Sequence, residues 1–160
     1  MKIGIISDTH SRKAPKQMLE DFKSVDLIIH VYDIFSIEDY NFFKSFKEMK
    51  AVFGNVDSGE LRKILPETII FDVEGVSVGI WHGFGQPLKV INFVTKEFQG
   101  KKVDVAIFGH SHLPFNETID GVLYFNPGSL TDIVRSPYCS YGIMEIKNKK
   151  ITAKIIKVKN

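Results

Sequence analysis

Cysteine is almost absent: Cys139 is the only one in 160 residues, so no disulfide can form within the chain and a packed core must hold it together. A reducing, cytoplasmic setting is expected. No uninterrupted apolar run approaches the ~20 residues of a membrane-spanning helix. The opening Met1-Lys2-Ile3-Gly4-Ile5-Ile6 is also too short an apolar stretch, before Asp8, Arg12 and Lys13, to form the core of an export signal. A soluble chain with no membrane partner follows as the expectation. Excess charge of one sign is missing too. Lys and Arg number 21 against 19 Asp and Glu, leaving +2, far from the clustered basic face of a nucleic-acid or anionic-membrane binder. The lysines between Lys147 and Lys157 read as the solvated side of a terminal hairpin. Internal repeats, low-complexity tracts and linkers are absent, which leaves one domain over residues 1–160.

What is present is the balance of a globular protein, 44% apolar and 25% charged residues. A chain this long buries roughly two thirds of the surface its unfolded form exposes. The front half alternates short apolar runs (Ile3 to Ser7, Val25 to His30, Ala51 to Phe53) with amphipathic stretches around Pro15 to Lys23 and Ile37 to Lys50. That alternation predicts βαβ units with strands buried on both faces. Ser36 is placed to cap the second helix, with Glu38 and Asp39 in its first turn and Phe42, Phe43 and Phe46 on one face. The later part predicts hairpins: Glu67 to Glu74 with Val76 to Trp81 around Gly75, Asn116 to Ile119 with Val122 to Phe125 around Asp120-Gly121, and Tyr141 to Ile146 with Ile151 to Val158. Pro87 to Phe98 reads as a helix and Val103 to Phe108 as a buried strand. Parallel and antiparallel strands therefore coexist in an α/β fold, as two packed sheets with flanking helices.

Each apolar strand ends in a residue type that binds metal. Asp8 and His10 follow the first, Asp33 the second and Asn55 the third; His82 follows Ile80-Trp81, and His110 and His112 follow Ile107-Phe108. Loops at the carboxyl ends of strands in open α/β sheets meet on one edge, so these residues can converge in one crevice. Four of the five histidines belong to this set. The spacing Asp8-Thr9-His10, repeated in His110-Ser111-His112, aims two side chains one way if the backbone is extended. Gly54, Gly83 and Gly109 stand beside proposed ligands, where a missing side chain permits close approach. Carboxylate, imidazole and amide without thiolate suit divalent first-row ions: Mn²⁺, Ni²⁺, Fe²⁺, Co²⁺ or Zn²⁺. Seven ligands exceed the needs of one ion, and two ions ~3.5–4 Å apart are the arrangement that hydrolyses phosphate esters. His30, inside the second strand, reads as a core or supporting residue, and Trp81 and Cys139 as packing.

At Asp8-Thr9-His10, Asp33, Gly54-Asn55, His82-Gly83 and Gly109-His110-Ser111-His112, in that order, the chain resembles the calcineurin-like metallophosphoesterase superfamily. The likeness is greatest to its small bacterial and archaeal phosphodiesterases, which share an Asn-Pro-Gly-Ser block like Asn126 to Ser129. The resemblance implies a four-layer αββα sandwich. It assigns Asp8, His10, Asp33 and His112 to one ion and Asp33, Asn55, His82 and His110 to the other, with Asp33 as bridge. Asp33, Asn55 and His82 are then expected to act in catalysis, and Phe84, Asn126 and Arg135 to contact substrate. Three departures stand out: Tyr32 where the family commonly has Gly, Val56 where larger members have His, and Phe84 where His is frequent.

The expected chemistry is attack on phosphorus by a hydroxide bridging two divalent ions, most simply Mn²⁺, with both ions stabilising charge on the phosphoryl oxygens. Val56 cannot transfer a proton, so acidic leaving groups and phosphodiesters are expected ahead of alkyl monoesters. A competing expectation keeps the fold without the catalysis, as a protein-binding scaffold like the superfamily's retromer subunit. A nuclease is disfavoured, because no basic groove or aromatic platform is added to the domain. Physiological substrate and self-association into homo-oligomers stay open.

Overall fold

The structure is a computed structural model and describes residues 1–31, 33 and 36–159. Strand β1 (Lys2–Ser7) leads through helix α1 (Lys16–Phe22) to β2 (Leu27–Val31), then through α2 (Ile37–Phe46) to β3 (Met49–Val52) and α3 (Gly59–Ile64). The hairpin of β4 (Thr68–Val73) and β5 (Val76–Trp81) follows. A 3-10 turn (Pro87–Lys89) then enters α4 (Val90–Phe98), and β6 (Val105–Ile107), β7 (Phe115–Ile119), β8 (Val122–Asn126), β9 (Ser140–Lys147) and β10 (Lys150–Lys157) complete the chain.

Two five-stranded sheets result, ordered β10-β9-β1-β2-β3 and β4-β5-β6-β8-β7. Strands β1, β2 and β3 run parallel, with Ile5 opposite Ile29 and Val31 opposite Val52, and β5, β6 and β8 run parallel in the other sheet. Hairpins close the antiparallel edges. At their turns Glu74-Gly75, Asp120-Gly121 and Asn148-Lys149 all have positive φ, as two-residue hairpin loops whose twist matches the strands require.

Alternation along each strand divides the core into three layers of contact. Ile3, Ile5, Leu27, Ile29 and Val31 meet Val78, Ile80, Val105, Ile107 and Phe125 between the sheets. Ile6, Ile28 and Ala51 face outward onto Met18, Phe22, Phe43 and Leu61 of the helices. On the far side Trp81, Ala106 and Tyr124 face Val90, Val94 and Phe98 of α4. The expected αββα sandwich is what the chain forms. Among the described residues no helix is long and apolar enough to cross a membrane.

Three elements differ from expectation. Helix α2 starts under its Ser36 cap, whose hydroxyl accepts from Asp39 N, but stops at Phe46, and Lys47 is extended (φ −156°). That leaves Met49 free to pair with Ile28 as the start of β3. Strand β6 is confined to Val105–Ile107. Helix α3 is too short to show a period, although Ser58 caps it by accepting from Leu61 N.

Candidate metal centre

The parallel strands β1, β2, β3, β5 and β6 all deliver their carboxyl ends to one edge of the sandwich, and every proposed ligand lies in the loops that follow them. These loops are tied to one another by backbone bonds: His10 N donates to Asp33 O (3.0 Å), Gly109 N to His82 O (3.1 Å) and Leu130 N to Ser7 O (3.1 Å). The expected extended backbone at Asp8-Thr9-His10 and His110-Ser111-His112 is not found. Asp8, His10, His110 and His112 have φ of 52°, 48°, 63° and 57°, a left-handed conformation that is uncommon outside glycine and costs of order 1–3 kcal/mol per residue. Their side chains converge because the backbone turns tightly at each.

Convergence produces two groups. Asp8, His10 and His112 place one ligand atom each within 4.8 Å of the others, and so do Asp33, His82 and His110. In the first, His112 Nε2 stands 3.3 Å from Asp8 Oδ1 and 3.2 Å from His10 Nε2. In the second, His82 Nε2 stands 3.2 Å from Asp33 Oδ2. Asn55 joins the second group through its side-chain oxygen, 2.8 Å from His110 Nδ1. The groups adjoin: Asp8 Oδ1 is 3.9 Å from His82 Nε2. Asp33 falls within the second group, and its backbone carbonyl holds His10 of the first. Tyr32 lies outside the described residues.

The donors fit divalent ions. Asp8 Oδ1 and both ring nitrogens of His82 are buried without a hydrogen-bond partner among the described residues. Unmatched polar atoms inside a protein are costly unless something else binds them. His110 faces two acceptors, the Gly85 carbonyl at Nε2 and the Asn55 side-chain oxygen at Nδ1, each 2.8 Å away, and a neutral ring has one hydrogen for the two. The contact left without a hydrogen is one that a bound cation would relieve.

Electrostatics agree. Burial raises the pKa of Asp8, but its contacts with His112, His82 and Ser7 outweigh that and hold the carboxyl below the usual range. Burial lowers His82 and His112, yet the carboxylates of Asp33, Asp8 and Asp57 around the first, and of Asp8 and Asp132 around the second, raise both above an ordinary histidine. His10 is lowered, chiefly by burial. Surroundings that keep Asp8 ionised and draw protons onto His82 and His112 also draw metal ions.

Close packing shapes the floor. Ser7 Oγ lies 2.5 Å from Asp8 Oδ2 and 2.7 Å from Val31 O. A Cβ on Gly109 would fall 2.1 Å from that hydroxyl, and one on Gly83, whose φ is 88°, would fall 2.9 Å from Val90 Cγ1, so both glycines are required for close approach. Arg62, which sequence reasoning did not single out, grips the carbonyls of Gly54, Asn55 and Asp57 and thereby shapes the Asn55 loop.

Substrate-facing expectations divide. Phe84 is half-exposed, rests against Trp81 and Phe93, and helps line a small cleft of about 140 Å³ that reaches Asn55 and His82. Asn126 is fully buried, unlike the expected phosphate contact. Its amide donates to Gly109 O and Ser111 Oγ while its carbonyl accepts from Gly128 N, which makes it a brace for the His110 loop. Arg135 is exposed, and its backbone N–H donates to Asp132 Oδ1. Asp132 was also missed. It is buried, 2.8 Å from His112 Nδ1, and its one signal was an acid in the loop after Ser129. Cys139 is half-buried, and burial pushes its thiol up, away from reactivity.

His30, fully buried beside Phe43, has its pKa pushed by burial from 6.5 to about 3. The unfolded chain protonates this ring first, so its contribution to stability is whole above pH 6.5 and fades as pH falls towards 3. We predict that His30→Phe flattens the acid limb of a denaturant-melting series by a few kcal/mol; an unchanged acid limb would contradict the assignment.

Comparison with known proteins agrees with this geometry. Residues 1–149 match the model of the calcineurin-like phosphoesterase superfamily domain. Among curated proteins, the probable metallophosphoesterase MJ0623 of Methanocaldococcus jannaschii is 35% identical over 99% of this chain and 82% of its own length. Phosphodiesterase MJ0936 of the same organism is 33% identical over 94% of this chain and 96% of its own length. Among solved structures, Vps29 of Chaetomium thermophilum superposes with a TM-score of 0.79 over 99% of this chain and 93% of its own, at 17% identity, a likeness of fold alone. This chain is a member of the calcineurin-like phosphoesterase superfamily.

Proposed function

We propose that the protein is a phosphodiesterase working with two divalent ions, most simply Mn²⁺, on a small phosphate-ester substrate. The observation that carries this reading is the pair of adjoining ligand groups, Asp8/His10/His112 and Asp33/His82/His110 with Asn55, containing buried ligand atoms that no hydrogen bond among the described residues satisfies. Similarity to a protein named as a phosphodiesterase supports it. When bound, such ions supply an activated water as nucleophile and a Lewis acid for the phosphoryl oxygens.

The protein's own residues do the rest. Asp33 would be the carboxylate shared between the two ions; one of its oxygens lies toward His82 and the other accepts from Val56 N at 3.1 Å. Asn55 and His82 set the side of the centre that opens to the cleft, and Phe84 offers a half-exposed ring to an aromatic leaving group. Val56, 40% exposed at the position after Asn55, has no proton to give a departing alkoxide. Leaving groups that depart as stable anions are therefore preferred.

Metal-stripped protein restored with Mn²⁺ should cleave a bis-aryl phosphodiester faster than the matching aryl monoester, and an alkyl monoester slowest. Faster cleavage of the alkyl monoester would overturn the diester assignment. A scaffold reading has one observation in its favour: Ile133 and Val134, in the loop behind the centre, are 74% and 84% exposed, as a protein contact would favour. No metal-dependent turnover with any of these esters would bring that reading forward.

A further inference from the structure

Asp132 lies outside every block that marks the superfamily in this sequence, yet both of its oxygens are engaged. Oδ1 accepts from the backbone N–H of Val134 (2.8 Å) and Arg135 (3.2 Å), and Asp132 N donates to Ser129 Oγ (3.0 Å). Ser129 Oγ in turn donates to the carbonyl of Asp8 (2.7 Å). The carboxylate is therefore fixed by its own loop and aligned to the backbone of a proposed ligand. Its Oδ2 lies 2.8 Å from His112 Nδ1 and touches no other described group that would hold it.

A neutral imidazole has one N–H and one lone pair, and a partner that accepts only decides which nitrogen carries the hydrogen. We propose that Asp132 is a positioning residue: by accepting from Nδ1–H it holds His112 in one tautomer and one ring orientation, with the Nε2 lone pair aimed at the space shared with Asp8 and His10. The inference takes its purpose from the metal-dependent reading above. It requires that of the two ligand groups only Asp8/His10/His112 depend on Asp132. His110 is oriented independently, by the carbonyl of Gly85, and His82 has no contact with Asp132 among those described.

Asp132→Asn is the discriminating variant. The amide oxygen can still accept from Val134 and Arg135, so the loop keeps its bonds. The NH2 group now faces His112 Nδ1 and donates to it, which forces the hydrogen onto Nε2 and turns the lone pair away from Asp8. Two measurements read this. In metal-free protein, at a pH above the titration of the ring, long-range ¹H–¹⁵N spectra should show His112 as the Nδ1–H tautomer in wild type and as the Nε2–H tautomer in Asp132→Asn. In a calorimetric titration with Mn²⁺, wild type should take up two equivalents, and Asp132→Asn should weaken one of them by roughly 10–100-fold, as loss of an outer partner typically does, while the other keeps its affinity.

Asp132→Ala, which removes the acceptor without supplying a donor, should weaken the same equivalent and leave a mixture of tautomers. An Nε2–H tautomer in wild type, or two equivalents bound by Asp132→Asn with unchanged affinity, would overturn the role of Asp132. If wild type binds no Mn²⁺, the metal-dependent reading fails, and the tautomer spectra decide alone whether Asp132 positions His112.

Discussion

Asp33→Ala should reduce Mn²⁺-dependent cleavage of a bis-aryl phosphodiester to background, a larger loss than the ~10–100-fold expected for an outer partner. Asp33 is 3% exposed and has three attachments that define its place. Its Oδ2 approaches His82 Nε2 at 3.2 Å, its Oδ1 accepts from Val56 N, and its backbone carbonyl accepts from His10 N. Removing the side chain leaves His82 buried without its nearest acid, the contact that most strongly opposes the effect of burial on that imidazole. The Asn55-Val56 loop loses its tie to Asp33 at the same time, though Arg62 still holds it. Asp33→Asn separates these effects, because the amide oxygen can still accept from Val56 N while the charge is gone. It should retain the melting temperature of the metal-free protein more closely than Asp33→Ala, and be nearly as inactive. Retention of a tenth or more of wild-type turnover by Asp33→Asn would show that this carboxylate is not a shared ligand.

Gly109→Ala should be almost as damaging, although glycine contributes no ligand. Its new Cβ would lie 2.1 Å from Ser7 Oγ, 3.1 Å from Asp8 Oδ2 and 3.3 Å from His82 Nδ1. None of these can easily retreat. Ser7 is held between Asp8 and Val31, and the Gly109 backbone is pinned by His82 O on one side and by Asn126 and Ser111 on the other. Overpacking a filled interior costs about 1–3 kcal/mol, which for a chain of this size lowers the melting point by several degrees. Because the displaced atoms include Asp8 and His82, one from each ligand group, affinity for both Mn²⁺ equivalents should fall together. Gly59→Ala is the matched control. That glycine opens α3 with nothing within 4 Å of the added carbon, and the substitution should leave melting and metal binding at wild-type values. Wild-type metal affinity in Gly109→Ala would contradict the packing described around Ser7.

Much of this was legible before any coordinates. A buried strand needs apolar residues on both faces, so the polar residue that ends it is conspicuous, and the sequence marks such ends at Asp8, Asp33, Asn55, His82 and His110. Parallel strand order then places those ends on one edge. Less accessible was anything set by contacts between distant segments. The left-handed backbone at Asp8, His10, His110 and His112 is imposed by cross-loop bonds such as His10 N to Asp33 O, and no local propensity announces it. Asn126 has the composition of a turn residue in its Asn-Pro-Gly-Ser setting, but burial under the His110 loop commits its amide inward. Asp132 is an ordinary loop acid by sequence and reaches His112 only through the fold of the segment after β8. Lys47 and Lys50 are compatible with either state, so the sequence alone extends helix α2 past Phe46, and pairing of Met49 with Ile28 decides for the strand.

We propose that seven side chains hold two divalent ions with which this protein cleaves a phosphodiester. A stepwise Mn²⁺ titration of metal-stripped wild type, with bound metal and bis-aryl diester cleavage measured on the same samples, tests it most directly. Saturation is expected at two ions per chain, with cleavage rising as the second site fills and abolished by chelation. Cleavage that survives chelation, or saturation at one ion or none, would contradict it.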